Sequence, residues 1–386
     1  MIIRWLSCIL LPAVALAEPV DWLVSAGYVV TVDGAHRIIE HGAVAVRGER
    51  IAAVGTKADL EKRFQPRRRL DRPNAVLAPG LINTHTHAPM SLFRGIADDM
   101  RLQDWLEKFI FPAEAKNVSA EFCRWGTRLA VLEMLLGGTT TYTDMYYFEE
   151  TIARETKAAG MRGVLGQTVI GFPVADAKTP DDALIRAAAF IQAYRNDPLI
   201  TPAVAPHAIY TNSDETLRRC RRLASENNVP LLIHLSETRR ENEETRRQRH
   251  ASPTQALNAL GLFDGRTVAA HGVWLDDDDL AVIKTKNVGI AHCPSSNMKL
   301  ASGIAPLSKM LSLGINVGLG PDGPAGSNND FNLFEEMDLA AKLAKVATGD
   351  PEAVSARQAL EMATIGGARV LGLEKEIGSL EAVSAR

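Results

Sequence analysis

The sequence predicts an α/β protein: a (β/α)8 TIM-type barrel with a small flanking β-sandwich domain. Glycine-broken β-rich runs come first, short apolar runs then alternate with amphipathic stretches, and 386 residues suit a barrel with a small satellite. An open doubly wound sheet is the alternative. No glycine-rich phosphate loop with dinucleotide-binding spacing follows a predicted strand, which favours the barrel.

Residues 1–17 have the features of a secretory signal peptide. Arg4 gives a positive start, Trp5–Leu16 is almost wholly apolar, and Ala15–Ala17 is a small-residue cleavage site. The apolar run is too short to span a membrane as a helix, and a buried N-terminal strand is the alternative. We therefore expect export to a bacterial periplasm, with no membrane association after cleavage.

Residues 18–77 are predicted to form the N-terminal part of the small β domain. The runs Trp22–Val32, Gly42–Val46 and Arg50–Gly55 are rich in β-forming residues at short spacing, which is typical of an antiparallel meander.

Residues 78–371 are predicted to form the barrel. Amphipathic segments such as Ala120–Leu136, Asp214–Asn228 and Pro253–Leu260 separate the strands, and Ala353–Leu371 is the last helix. The eight candidate strands are Ala75–Ala78, Thr139–Thr143, Gly163–Val169, Ile200–Val204, Leu231–His234, Val268–His271, Gly289–His292 and Val317–Gly320.

Residues 372–386 are predicted to start a return to the β domain that is truncated or aberrant. Residues 381–386 repeat residues 352–357 letter for letter. We interpret the repeat as a sequence error that replaced the true C-terminus. An incomplete β domain would expose strand edges, favour aggregation and leave the chain inactive.

Composition and charge indicate a small-molecule substrate. With 46% hydrophobic residues, 23% charged residues and a net charge of −3, the chain offers no field for nucleic acid or an anionic membrane. The cysteines after the signal peptide, Cys123, Cys220 and Cys293, are odd in number and widely spaced, so they predict no disulfide framework. A homo-oligomer is compatible with the sequence, which does not specify one.

Five polar residues at strand ends predict a metal site. His85 and His87 follow the apolar run Val76–Asn83, and residues at i and i+2 of a strand face the same side. That pair alone is a weak signal, but His234, His271 and Asp322 each end a later apolar run. The carboxyl ends of parallel barrel strands meet on one face, so we expect these side chains to converge on a divalent metal.

Glu237 is the predicted proton-transferring residue. It lies three positions after His234, where a carboxylate can reach metal-activated water without binding the metal. A solvated loop glutamate is the alternative. A second metal needs a bridging lysine or acid, and Ile200–Pro206 contains neither. We expect one metal, of which zinc fits the ligands best and iron or manganese are alternatives.

Motifs across residues 20–380 resemble the amidohydrolase superfamily, in the chlorohydrolase and aminohydrolase branch that includes 5′-methylthioadenosine and S-adenosylhomocysteine deaminases. The matching stretches are Pro79–His87, Leu92–Gly95, Ala205–His207, His234–Thr238, Ala270–Gly272, His292–Asn297 and Gly320–Gly323. The resemblance implies that one divalent metal is held by His85, His87, His234 and Asp322. It also implies that Glu237 shuttles protons and His271 orients the hydroxide.

The resemblance further implies a substrate pocket near Trp105, Glu114, His207 and Asn297, in which the acid matching Glu114 binds ribose hydroxyls. Lid packing is the alternative for Trp105 and a surface position for Glu114. One departure weakens the nucleoside assignment: Gln167 stands in the third strand, where those deaminases often have arginine.

The predicted function is hydrolytic deamination of an amino-substituted heterocycle, foremost methylthioadenosine or S-adenosylhomocysteine, with release of ammonia. The enzyme class is a hydrolase of carbon–nitrogen bonds other than peptide bonds, with Glu237, His271 and Asp322 as catalytic residues. The alternatives are a dechlorinase or amidase with the same site, and a non-catalytic exported zinc-binding protein.

Overall fold

The computed structural model describes residues 17–382, which form two compact units. One unit extends to Pro79 and includes the residues from Ser379 on, and the other is Gly80–Gly378. The boundaries predicted from the sequence, after residue 77 and after residue 371, lie a few residues before those of the structure, after Pro79 and after Gly378. Almost all of the predicted signal peptide lies outside the described residues, and it stays a prediction. No helix within residues 17–382 combines the length and apolar character needed to cross a membrane.

The smaller unit is a five-stranded β-sheet with one helix, in the order β2-β1-β3-β4 and with β5 beside β1. The antiparallel meander holds for β1 to β4, but β5 runs parallel to β1. Parallel neighbours need a crossover, which the helix α1 contributes to. The elements are β1 Glu18–Val30, β2 Ile38–Glu40, β3 Gly42–Arg47, β4 Arg50–Thr56, α1 Lys57–Arg63 and β5 Phe64–Leu77.

The larger unit is a closed barrel of eight parallel strands, and the predicted fold class is confirmed. Its strands are buried on both faces, as parallel barrel strands are when helices cover them. Leu319 of the last strand pairs with Asn83 of the first, which closes the barrel. The strands are β6 Leu81–Thr86, β7 Thr139–Tyr146, β8 Arg162–Val169, β9 Ile200–Pro206, β10 Leu231–Leu235, β11 Thr267–His271, β12 Gly289–His292 and β13 Val317–Leu319.

The predicted first barrel strand, Ala75–Ala78, is wrong. Val76 and Leu77 pair with β1 as the end of β5, and Val76 is 61% exposed. Pro79 has no backbone N–H to donate to a strand ladder, and the barrel strand starts after Gly80. His85 therefore lies inside β6, and His87 follows its last residue.

Helices alternate with the barrel strands. Half of them begin at a serine, threonine or aspartate whose side chain caps the first turn; for example, Ser119 accepts a hydrogen bond from Phe122 N at the start of α4. Short 3₁₀ segments occupy Ala88–Phe93 and Ile209–Thr211, and π-helical turns occupy Leu106–Ile110 and Met362–Gly366. The α-helices are α2 Leu102–Trp105, α3 Phe111–Asn117, α4 Ala120–Leu136, α5 Glu149–Ala158, α6 Pro180–Tyr194, α7 Asp214–Glu226, α8 Arg239–Arg249, α9 Pro253–Ala259, α10 Asp277–Thr285, α11 Pro294–Lys299, α12 Leu307–Ser312, α13 Leu333–Thr348, α14 Ala356–Glu361 and α15 Gly367–Leu371.

A glycine in α4 fixes how closely the segment after His87 packs on that helix. A Cβ at Gly126 would lie 2.4 Å from the carbonyl oxygen of Pro89, in the 3₁₀ segment Ala88–Phe93. Because the clashing atom belongs to the backbone, the segment itself would have to move.

We expect Gly126→Ala to lower the free energy of unfolding by about 1–3 kcal/mol, the usual range for overpacking a close contact. Gly137→Ala is the matched control, because a Cβ there meets nothing nearer than 3.5 Å. Urea titration of both variants measures the difference. Equal stability of the two variants would contradict the packing described here.

Candidate active site

Three histidines and one carboxylate meet at the carboxyl end of the barrel strands. The Nε2 atoms of His85 and His87 each lie 3.3 Å from Asp322 Oδ1, and His234 Nε2 lies 3.4 Å from His87 Nε2. The rings of His85 and His234 have centroids 5.0 Å apart. Strand β6 and the residue after it, strand β10 and the turn after β13 supply these side chains.

His271 lies against the same cluster. Two overlapping groups have ligand atoms within 4.8 Å of one another: His85 with His234 and His271, and His85 with His87 and Asp322. The backbones of His271 and Asp322 are left-handed, with φ of 73° and 63°. Residues other than glycine seldom adopt this conformation, and such strain concentrates at functional sites.

Backbone carbonyls set the orientation of two of the imidazoles. His87 Nδ1 lies 2.8 Å from the carbonyl oxygen of Met145, and His234 Nδ1 lies 2.8 Å from that of His207. A carbonyl oxygen only accepts, so each Nδ1 carries the proton and donates it. Nε2 of each ring then faces the cluster and carries the lone pair when the ring is neutral, which is the usual arrangement around a metal-binding histidine.

The charges of the cluster are coupled through Asp322. Burial raises the pKa of this carboxyl, but contacts with His85 and His87 outweigh burial and hold the pKa well below its usual range. Burial lowers the pKa of His85 to about 4. Burial acts the same way on His87, but the hydrogen bond and charge of Asp322 overcome it and raise the pKa to about 9. The second carboxylate oxygen of Asp322 accepts a hydrogen bond from Ser296 Oγ at 2.7 Å.

These residues fit a divalent metal. His85 Nε2 is buried and makes no hydrogen bond of acceptable geometry, although Asp322 Oδ1 is close. A buried polar atom without a partner is costly, and a metal ion would satisfy it. Imidazole nitrogens with one carboxylate are a donor set that suits zinc and related divalent ions.

Glu237 lies beside the cluster, in the loop after β10. Its Oε2 atom is 3.8 Å from His271 Nε2. Burial, together with the charge of Asp322, raises the pKa of Glu237 to about 8. Glu241 fixes the loop, because its carboxylate accepts hydrogen bonds from the backbone N–H groups of Ser236 and Glu237.

A cavity opens directly onto the cluster. His87, His234, Glu237, His271 and Asp322 belong to its lining. The other lining residues are mostly apolar or aromatic and include the predicted Trp105, Glu114 and His207; the rest are Met90, Leu102, Leu106, Ile110, Phe111, Met145, Tyr146, Tyr147, Thr168 and Tyr210.

The predicted substrate residues differ in their surroundings. Trp105 is buried and donates its indole N–H to the carbonyl oxygen of Ala325 at 2.9 Å, so it both packs and lines the cavity. Burial raises the pKa of Glu114 to about 7, and Tyr147 Oη donates to it at 3.4 Å. Burial lowers the pKa of His207 to about 3, so its ring is neutral at pH 7.

Two residues singled out in the sequence lie outside the cavity lining. Asn297 is buried, and its Oδ1 atom lies 3.1 Å from His271 Nδ1, which gives it a position behind His271 instead of beside a substrate. Gln167 is also buried and donates to Asp176 Oδ2 at 2.9 Å.

Sequence reasoning missed several residues of the site. Tyr146, Tyr147 and Tyr210 line the cavity, and Ser296 and Glu241 support Asp322 and Glu237. The strand-end argument would have found Tyr146 and Tyr147 at the end of β7, had it been extended from metal ligands to aromatic residues. No sequence signal distinguishes Glu241 from its neighbours Glu243 and Glu244.

The fold and the site define a barrel protein with a candidate metal centre and an adjoining substrate-sized cavity. A protein-family model described as "Amidohydrolase family" matches residues 76–382. A second model, described as "Imidazolonepropionase-like composite domain, bacteria", matches residues 42–64. The first match covers most of the chain. The chain belongs to the amidohydrolase family, whose members use a divalent metal.

Individual proteins resemble the chain over most of its length. It is 48% identical to a 5-methylthioadenosine/S-adenosylhomocysteine deaminase of Thermodesulfovibrio yellowstonii, over 93% of this chain and 82% of the relative. An adenosine deaminase of Xanthomonas campestris with bound zinc has a TM-score of 0.93 at 42% identity, over 95% of this chain and 83% of that one. A zinc complex of atrazine chlorohydrolase from Arthrobacter aurescens has a TM-score of 0.85 at 26% identity, over 94% of this chain and 85% of that one.

These relatives confirm the predicted class of enzyme, a hydrolase of carbon–nitrogen bonds other than peptide bonds that acts on small molecules. They argue against the alternative of a non-catalytic metal-binding protein. The individual residue assignments and the identity and number of the metal ions stay predictions.

We expect His234→Ala to lose bound zinc, because the change removes one of the four proposed ligand atoms. His207→Ala is the matched control: the His207 ring centroid lies 4.7 Å from that of His234, the residue also lines the cavity, and it is not a proposed ligand. Elemental analysis of both purified variants measures zinc per chain. Full zinc occupancy in His234→Ala, or loss in both variants, would contradict the proposed ligand set.

Proposed function

We propose that this chain is a zinc-dependent hydrolytic deaminase of adenosine-type nucleosides. The observation that carries the proposal is the position of Glu237, a buried carboxyl of raised pKa beside His271, facing the same cavity as the metal cluster. A deaminase must move a proton from water to the substrate, and a carboxyl whose pKa lies near neutrality is suited to both steps. The names of the relatives support the same reaction.

His85, His87, His234 and Asp322 would hold one metal ion. When bound, a divalent metal supplies Lewis-acid activation, which lowers the pKa of water toward 7. The strand β9 supports a single ion, because it offers no lysine or acid that could bridge to a second. The imidazole and carboxylate donors, and the zinc in two structurally similar enzymes, support zinc.

Glu237 takes a proton from the attacking water and delivers it to a ring nitrogen of the base. His271, whose Nδ1–H donates to Asn297 Oδ1, turns its Nε2 lone pair to the water, so that Nε2 and Asp322 share the hydrogen bond of the water's second proton. The water oxygen bonds to the carbon that bears the amino group. The second proton of the water, which Asp322 accepts from the new hydroxyl group, passes to the amino nitrogen. The carbon–nitrogen bond then breaks, ammonia departs, and the oxygen stays on the ring carbon as a carbonyl group.

The part of the cavity around Glu114 would bind the sugar. Glu114 is buried beside Tyr146 and Tyr147, and its carboxylate can accept hydrogen bonds from two sugar hydroxyls. Trp105 and Phe111 offer apolar faces to the base or to a substituent of the sugar.

The lining favours methylthioadenosine over S-adenosylhomocysteine. No arginine or lysine lines the cavity within the part of the chain that the structure describes, so a buried amino-acid carboxylate would find no cation there. The cations of adjacent segments are already paired, Lys108 with Asp104 and Arg240 with Glu244. A methylthio group, by contrast, suits the apolar surface.

Hydrolytic dechlorination of a triazine is the second candidate. The structural similarity to atrazine chlorohydrolase favours it, because the same activated water could displace chloride. Deamination ranks first because the proteins with 42–48% identity are named deaminases.

We expect Glu237→Gln to keep its metal and to lose at least about 10³-fold in turnover, within the range ascribed to general acid–base catalysis. Glu243→Gln is the matched control, since its side chain is 62% exposed and pairs with Arg239. Ammonia release and zinc content are measured for both variants. Turnover by Glu237→Gln near that of the parent enzyme would exclude the proton-transfer role.

A substrate panel separates the candidate reactions. We expect ammonia from methylthioadenosine and adenosine, at least about tenfold lower kcat/KM for S-adenosylhomocysteine, and no chloride from atrazine. Equal or better use of S-adenosylhomocysteine would contradict the argument from the lining alone. If no nucleoside yields ammonia while atrazine yields chloride, the deaminase proposal is wrong and the dechlorinase candidate takes its place.

A further inference from the structure

Glu336 is a carboxyl buried in the first turn of α13, outside the cavity lining. Burial raises its pKa to about 8. Both of its carboxylate oxygens accept hydrogen bonds, Oε2 from Ser295 N at 3.2 Å and Oε1 from Asn328 Nδ2 at 3.1 Å. Burying a carboxyl costs free energy, which makes the two groups that it binds informative about its role.

The first partner of Glu336 is the start of α11. The backbone N–H of Ser295 lies in the first turn of this helix, where N–H groups have no acceptor within the helix. Cys293, the residue before the helix, provides no side-chain cap. Glu336 supplies the missing acceptor from a different helix and thereby fixes the first turn of α11.

The next two residues of α11 contact the active site. Ser296 Oγ donates to Asp322 Oδ2 at 2.7 Å. Asn297 Oδ1 accepts a hydrogen bond from His271 Nδ1, which lies 3.1 Å away. Because these two residues follow Ser295 directly, a shift of the first turn would move both the donor to Asp322 and the acceptor of His271.

The second partner of Glu336 holds the backbone around Asp322. Asn328 Nδ2 carries two hydrogens, and besides Glu336 it donates to the carbonyl oxygen of Pro321 at 2.8 Å. The backbone N–H of Asn328 donates to the carbonyl oxygen of Gly323 at 3.0 Å. Asn328 thus binds the residues on both sides of Asp322, whose left-handed backbone needs such support from its surroundings.

We propose that Glu336 is a positioning residue that fixes the carboxylate of Asp322 for metal binding and the ring of His271 for catalysis. It acts on Asp322 along two branches, through the side-chain contact of Ser296 and through the backbone turn that Asn328 holds. The inference rests on the proposed function, in which Asp322 is a metal ligand. Anchoring of α13 to the barrel is the structural alternative, and it predicts an effect on the free energy of unfolding alone.

The substitution Glu336→Gln tests the proposal with little change in shape. An amide nitrogen replaces one of the two acceptor oxygens, so either the Ser295 N–H or the Asn328 amide loses its acceptor. We expect the zinc Kd, measured by competition with a chromophoric chelator, to rise about 10–100-fold, the usual effect of losing a group that orients a metal ligand. The visible spectrum of the cobalt-substituted protein should also change, because its bands depend on the geometry of the ligands.

Glu335→Gln is the matched control, because Glu335 is the exposed neighbour on the same helix, and its zinc Kd and cobalt spectrum should equal those of the parent protein. Asn328→Ala is a second test variant. It breaks the Pro321 branch, leaves Glu336 in place and should raise the zinc Kd in the same direction. Circular dichroism and urea titration establish that each variant is folded.

Double-mutant cycles separate positioning from packing. In the background of Ser296→Ala or of Asn328→Ala one branch is already broken, so Glu336→Gln should raise the zinc Kd by a smaller factor in at least one of them than in the parent protein. The same factor in all three backgrounds overturns the positioning role and leaves the proposed function intact. An unchanged zinc Kd and cobalt spectrum in folded Glu336→Gln does so as well. A parent protein that binds no zinc overturns the proposed ligand set, and this inference with it.

Discussion

The Asp322 carboxylate lies buried between the Nε2 atoms of His85 and His87 and receives a hydrogen bond from Ser296. A negative charge in such a place needs positive charge nearby, because burial without compensation is costly. Without a metal, the contact with Asp322 raises the pKa of His87 to about 9, so a proton on that ring supplies the compensation. A divalent cation meets the same requirement more fully. Metal binding would therefore also balance the negative charge in the barrel interior.

The strand order explains why much of the site could be predicted from the sequence. In a parallel barrel every strand delivers its last residues to one face, so His234, His271 and Asp322 could be grouped without knowing any distance. The sequence could not place His85 correctly, because the apolar stretch before it divides between two sheets at Pro79-Gly80. A continuous apolar run carries no mark of such a division.

Residues that support the site through hydrogen bonds could not be predicted from the sequence. Glu241 accepts hydrogen bonds from the backbone N–H groups of Ser236 and Glu237, and Ser296 donates one to the carboxylate of Asp322. These contacts depend on the three-dimensional structure. Asn297 was expected near the substrate pocket, but its Oδ1 atom lies against Nδ1 of His271 and the residue does not line the cavity. The motif identified the residue, while its function depended on which side of the imidazole it occupies.

The left-handed backbones of His271 and Asp322 have a consequence for how the protein can be improved. Each places a branched or bulky side chain in a conformation that costs on the order of 1–3 kcal/mol. Selection for heat resistance alone would reward relaxing these two turns, for instance with glycine, and would thereby remove the groups that face the reactants. Thermal stability and catalytic activity therefore make opposite demands on these two residues. A more thermostable form of this enzyme must gain its stability at other positions.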